Sequence, residues 1–168
     1  VYRTAPLQNY SLSFSGGSEK TQYFISGNYF DQQGLMPNTN FKRYSARFNL
    51  DSKISDRFSV GTELQVSETN GARTATENNN YNLMLGILGA APTAPVYNSD
   101  GSYANPFPVY FTENYDNPVA ILKETMDKLT MQRIVGNVNA KYDIMKGLDY
   151  TLRAGIDRLI RENDGYIN

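Results

Sequence analysis

The 168-residue sequence contains no cysteine, no histidine and no tryptophan. Without cysteine there is no disulfide framework and no thiolate nucleophile or soft metal ligand. Without histidine the usual general base and the commonest metal ligand are missing, so Ser-His-Asp and Cys-His constellations cannot be assembled within the chain. The net charge of −1 offers no electrostatic footprint for nucleic acid or an anionic surface. No apolar run is long enough to cross a bilayer as a helix. No signal peptide opens the chain, and Val1 reads as the start of a mature or excised piece.

What the sequence does have is 13 Tyr and 8 Phe. Such aromatic content suits β-sheet surfaces, wet interfaces or sugar-binding loops. The organising stretch is Phe41 to Val66. One alternate set there is Tyr44, Ala46, Phe48 and Leu50, then Phe58, Val60, Thr62, Leu64 and Val66. The other set carries Arg43, Arg47, Asp51 and Glu63 among Ser, Asn and Gln. A period of two marks strands, and the polar DSKISD between the runs marks a turn, so the stretch is expected to be a hairpin with one apolar and one polar face.

The same alternation recurs along the chain. Strands are expected at about 8–16, 21–31, 41–51, 56–69, 131–144 and 147–160, with a long loop over 70–130. The strand at 21–30 is aromatic on both sides, with Tyr23 and Tyr29 opposing Phe24 and Phe30. The links run short, long, short, very long, short, which places every tight turn at one end of an up-and-down antiparallel meander. The long loop is not low-complexity. Tyr81 to Ala91 is apolar at helical spacing before Pro92, and Asn117 followed by Pro118 is a capped helix start.

Alternation alone fits either a soluble β-rich module, whose apolar face packs on a core, or a transmembrane barrel wall, whose apolar face meets lipid. Three features favour the barrel. The apolar face of all six strands is read as free of Asp, Glu, Lys and Arg. Its aromatics gather near strand ends: Tyr10, Tyr29 and Tyr44 at the long-loop end, Tyr23, Phe58, Tyr142 and Tyr150 at the other. Short turns at one end and long loops at the other match the outer-membrane asymmetry.

No catalytic, cofactor or metal constellation emerges. Glu63, Asp149 and Asp157 sit among basic residues and read as paired lumen charges rather than a glycosidase pair. Asn98 to Ser102 lacks the downstream bidentate acid of a calcium loop and reads as a turn. Two groups stand out. Arg43, Arg47 and Glu63 are expected to form a lumen charge cluster, with Glu63 opposite or diagonal to an arginine. Tyr97, Tyr103, Phe107, Tyr110 and Phe111 are candidates for contact with cargo or a partner, the alternative being that they hold the loop together.

The segments NYSLSFSGGSEKTQYFISGNYFDQQGL, FKRYSARFNLDSKISDRFSVG, APTAPVYNSDGSYANPF and NPVAIL, in this order, resemble the SusC/RagA-type family of TonB-dependent outer-membrane transporters of Bacteroidetes-type bacteria. The resemblance implies that residues 1–168 are part of a transmembrane barrel of about 22 strands. It also implies an N-terminal plug, glycan or peptide cargo, a SusD-like surface lid lipoprotein and a TonB energy-transducing complex. No plug domain is expected within this stretch. A six-stranded piece is therefore not expected to transport alone, and its strand edges invite self-association.

Overall fold

The computed structural model describes residues 3–73, 83–105 and 117–167. Its strands are β1 (Leu7–Gly17), β2 (Thr21–Gln33), β3 (Asn40–Lys53), β4 (Phe58–Arg73), β5 (Thr125–Met145) and β6 (Leu148–Ile167). Two short helices, α1 (Leu83–Gly89) and α2 (Pro118–Glu124), lie in the connection between β4 and β5. The strands form one antiparallel sheet in sequence order, so the all-β meander expected from the alternation is the observed architecture.

Local chemistry explains the turns. The link 18–20 is closed by the Ser18 amide donating to the Thr21 carbonyl, while the Ser18 hydroxyl accepts from the Lys20 and Thr21 amides. Gly147 takes a φ of 88° in the two-residue link between β5 and β6, a conformation that glycine adopts without steric cost. The DSKISD link is held by the Ile54 and Ser55 amides donating to the Phe58 carbonyl.

β5 and β6 run past the alternating windows at their long-loop ends. There Asp127, Lys128 and Thr130 pair with Gly165, Asp164 and Glu162, so both faces are polar and the two-residue pattern vanishes while the ladder continues. α2 leads directly into β5. This leaves 74–124 as the connection rather than 70–130.

Register keeps the apolar set in phase across the sheet. One row reads Phe14, Ile25, Phe48, Leu64, Gly136 and Ile156. Among the described residues no second layer covers this face: Leu12, Phe14, Val138, Leu152 and Ile156 are all exposed. The compact apolar core lies instead at the long-loop end, where Leu83, Ile121 and Leu122 pack together with Met36 and Ile87 against them.

The edges of the apolar band are oblique to the strands. The expectation that this face carries no charge in any strand fails at the long-loop end, where the strands outrun the apolar band: the first polar residues there are Asp31 and Lys42, opposite one another on β2 and β3. The boundary steps to Glu68 and Gln132 on β4 and β5, beside Tyr44, and then to Arg158 on β6, beside Ile134. At the short-turn end the aromatic limit steps the same way, from Tyr23 on β2 to the row Phe58, Tyr142 and Tyr150. Both limits drop by about four residues, roughly 13 Å, over four inter-strand steps of roughly 19 Å in all. A belt of constant height then crosses strands tilted by about 35°, within the range of transmembrane barrels.

This belt yields a paired test in the full-length protein. Val138 lies mid-belt on the exposed apolar face, and Asn137 beside it faces the other way, opposite Glu63. Val138→Arg should lower the folding free energy in bilayers by about 2–4 kcal/mol. Asn137→Arg should stay within about 0.5 kcal/mol of the parent. Denaturant titration of the heat-modifiable folded band checks both; equal losses would contradict the face assignment.

Candidate functional site

Sheet alternation gives the inner face its chemistry. Opposite the apolar belt stand Asn9, Ser11, Ser13, Ser26, Asn28, Ser45, Asn49, Gln65, Ser67 and Asn137, polar side chains suited to a wet face. Asn28 Nδ2, for example, donates to Asn9 Oδ1 at 2.7 Å.

Charges on this face sort by register. Asp157 pairs across the ladder with Val135, which sets Arg133 on its diagonal. Arg133 Nε donates to Asp157 Oδ1 at 3.0 Å and Nη2 to Oδ2 at 2.6 Å, a bidentate fork. Arg73 donates to Asp127 Oδ2 at 3.0 Å and to Asn163 Oδ1 at 3.2 Å.

Arg43, Arg47 and Glu63 occupy the same face, but no ion pair joins them among the described residues. Glu63 faces Asn49 and Asn137, and Arg47, opposite Gln65, is its diagonal neighbour. Arg47 Nε donates instead to Asn49 Oδ1 at 3.3 Å. The Arg43 guanidinium lies 5.8 Å from the Phe30 ring centroid. Phe30 in turn meets Phe41 edge to face at 5.8 Å. The sequence marked Phe30 only as the second aromatic face of its strand. The contact with Phe41 depends on the β2–β3 register, in which Phe30 faces Arg43 and Gln32 faces Phe41.

In the described part of the long connection Asn117 is 7% exposed. Its Oδ1 accepts from the Val119 amide at 2.9 Å, capping α2, with Pro118 at the first helical position, where its missing N–H costs nothing. Its Nδ2 donates to the Val96 carbonyl at 3.0 Å and the Ala104 carbonyl at 2.7 Å. Sequence flagged the cap; the two carbonyls, distant in the chain, gave no signal. Asn38, with φ of 62°, donates from Nδ2 to the Leu122 carbonyl at 2.8 Å and ties the β2–β3 loop to α2.

Among the aromatic candidates, Tyr97 and Tyr103 are brought together. They form an antiparallel bridge, with ring centroids 5.4 Å apart. Lys123 Nζ donates to Tyr97 Oη at 2.9 Å and sits 5.5 Å from that ring's centroid. The Tyr97 hydroxyl holds the Lys123 ammonium above its ordinary pKa. Phe107, Tyr110 and Phe111 lie outside the described residues. The tip Asn98 to Ser102 is a turn, as expected. Asp100 Oδ1 accepts from the Ser102 hydroxyl at 2.6 Å and from its amide at 2.9 Å, and these bonds lower the Asp100 pKa. Among the described residues no group of acidic side chains has the makings of a metal site.

An exposed, obliquely bounded apolar belt, a polar inner face and long loops at one end define the wall of a transmembrane β-barrel. No protein-family model matches the chain. The TonB-dependent receptor P3 of Formosa agariphila is 31% identical over 160 residues, covering 92% of the chain and 16% of that protein. The TonB-dependent receptor SusC of Bacteroides thetaiotaomicron is 27% identical over 177 residues, covering 93% of the chain and 17% of that protein. Among solved structures, the RagAB peptide importer in its closed-closed state superposes with a TM-score of 0.76 at 29% identity, over 98% of the chain and 19% of that structure's chain. The open-open state gives the same TM-score, 0.76. The chain belongs to the SusC/RagA-type TonB-dependent receptors of the outer membrane, as part of their barrel, and spans less than a fifth of the length of the curated relatives it matches.

Two outcomes follow for the loop. Asn117→Ala removes the cap and takes the Nδ2 donor from the buried Ala104 carbonyl, while the Val96 carbonyl keeps the Ala104 amide; this should destabilise the loop by about 1–3 kcal/mol. Asn117→Asp keeps the cap and loses the donor, and should fall between; protease sensitivity at 83–105 in the full-length protein measures both. Separately, Asp100 has its pKa lowered by folding, so its contribution is present above the unfolded-state pKa and is lost as pH falls through the folded one. The Ser102 amide should lose hydrogen-exchange protection only in that acid range, and Asp100→Asn should remove the pH dependence.

Proposed function

We propose that residues 1–168 act as one unit of barrel wall and extracellular loops in a TonB-dependent importer of glycans, peptides or other large nutrients. The observation that carries this reading is the uncovered apolar belt with its oblique limits, backed by a polar inner face. A soluble binding module would need a second layer over that belt, and the sheet has none among the described residues.

In this reading the unit works within a complete receptor holding a plug, a SusD-like lid lipoprotein on the outer side and a TonB complex supplying energy. Six strands supply wall and do no transport by themselves. They carry out no catalysis; movement of cargo rests on binding and gating. Arg43, Arg47 and Glu63 line the water-filled lumen. Tyr97, Tyr103, Phe107, Tyr110 and Phe111 contact cargo or the lid.

The wall assignment is tested on the isolated chain, which should stay dispersed only in detergent or lipid; a monodisperse monomer in plain buffer would overturn it. The loop assignment is tested in the full receptor. Replacing Phe107, Tyr110 and Phe111 together with Ala should reduce uptake or lid binding several-fold at normal surface expression. Unchanged uptake would reject that role.

A further inference from the structure

At the short-turn end the three tight links differ. The link between β1 and β2 carries only Ser18, Glu19 and Lys20. In the link between β3 and β4 the Ile54 amide donates to the Phe58 carbonyl, one step beyond the Lys53–Ser59 pair, which sets Ile54 in the aromatic row itself. Ser55, Asp56 and Arg57 follow it. β5 and β6 instead continue past the row. Between Asp143 and Met145 their register slips by one residue, so Asp143 faces Asp149 while Met145 faces Leu148. Leu148 stands two residues from Tyr150 and shares its apolar face, and Met145 shares that face as its cross-strand partner. Without the slip, Met145 would continue the inner set of Lys141 and Asp143. A bulge re-aims side chains, and this one adds an apolar side chain to the outer face.

The result is an apolar extension of the belt. Ile144, Met145 and Leu148 are 44%, 65% and 50% exposed. Behind them the inner face stays polar: Lys141 Nζ meets Asp143 Oδ1 at 3.2 Å, and the Thr151 hydroxyl donates to Asp149 Oδ2 at 3.5 Å. The division of faces therefore runs down to the turn, where Lys146 and Gly147 close the hairpin. Two further residues on a strand tilted by about 35° lower the apolar limit by about 6 Å.

We propose that the tip of the β5–β6 hairpin is immersed in the periplasmic leaflet, with Ile144, Met145 and Leu148 against phospholipid acyl chains and Lys146 among the phosphates. The inference rests on the wall lying in lipid and is independent of what the receptor imports. Continuity identifies the occupant. The patch follows directly on the belt with no polar row between, whereas a protein interface is bounded by a polar rim. Three side chains also fall well short of the roughly 800 Å² per partner that a stable protein contact buries. A lysine beside apolar side chains at a membrane limit keeps its stem in lipid and its ammonium among the headgroups. Tyr142 and Tyr150 suit the same placement, since a tyrosine keeps its ring in apolar surroundings while its hydroxyl reaches the interface. The membrane limit at this hairpin is then the turn, and the aromatic row lies inside it.

The test uses the purified full-length receptor, with any cysteine outside these 168 residues removed, in vesicles of phosphatidylethanolamine and phosphatidylglycerol. A nitroxide is attached in turn at Met145→Cys, at Val138→Cys in the belt and at Glu19→Cys in the β1–β2 link. Its relaxation by oxygen is compared with that by a water-soluble nickel chelate present on both sides of the membrane. Oxygen should be several-fold the more effective at 138 and 145, and the chelate at 19. Ile144→Cys and Leu148→Cys should follow Met145→Cys, and they carry the test if that variant does not fold. Tip labels that behave like the one at 19 overturn the proposal. So do tip labels shielded from both relaxants, which would assign the patch to a protein contact. A lipid-like 138 beside a water-like 145 defeats this inference alone, whereas water at both positions defeats the wall assignment as well.

Discussion

The structure depends on the phase of one backbone ladder. Each strand alternates its faces every residue, so a slip of one residue in any of the five pairings would turn that strand's apolar set toward the lumen. The register keeps Phe14, Ile25, Phe48, Leu64 and Ile156 in one row, across five turns and links of very different length. Turn chemistry contributes at the short links. Over the long connection only the match of faces can set the register, since a loop of that length constrains its ends weakly.

That ladder separates two solvents with opposite rules. On the lipid side an ion has no water to meet, and charge appears only beyond the belt, as at Asp31, Lys42, Glu68 and Arg158. On the inner side, exposed polar groups keep their hydration, so pairing is optional. The Arg133–Asp157 fork and an Arg43 that has no ion pair among the described residues therefore coexist on one face. Exposed pairs add little stability by themselves.

The long connection follows neither rule. Among its described residues Leu83, Ile121 and Leu122 make up a small core. Polar bonds at one buried amide add to it. Asn117 joins the start of α2 to the carbonyls of Val96 and Ala104, and the Tyr97–Tyr103 bridge lies next to that junction. Asn38 anchors the same unit to the neighbouring loop. The described parts of the connection thus hold together as a unit attached to the sheet.

Much of the sheet was legible in residue order because sheet faces have a period of two, and both solvents enforce it residue by residue. Alternation identified six strands, their apolar sides and the end at which the short turns lie, and Asn117-Pro118 announced its helix. The polar ends of β5 and β6 were not legible, since residues that are polar on both faces erase the period while the backbone bonds persist. The site was legible only as a face. Arg43, Arg47 and Glu63 could be placed together on the inner side, but which charge meets which partner depends on lateral register between strands far apart in sequence. Only the assembled sheet put Asp157 on the diagonal of Arg133, set Phe30 against Phe41, and left Arg43 among neutral neighbours. The reason is physical: a face is a property of one strand, and a contact is a property of two.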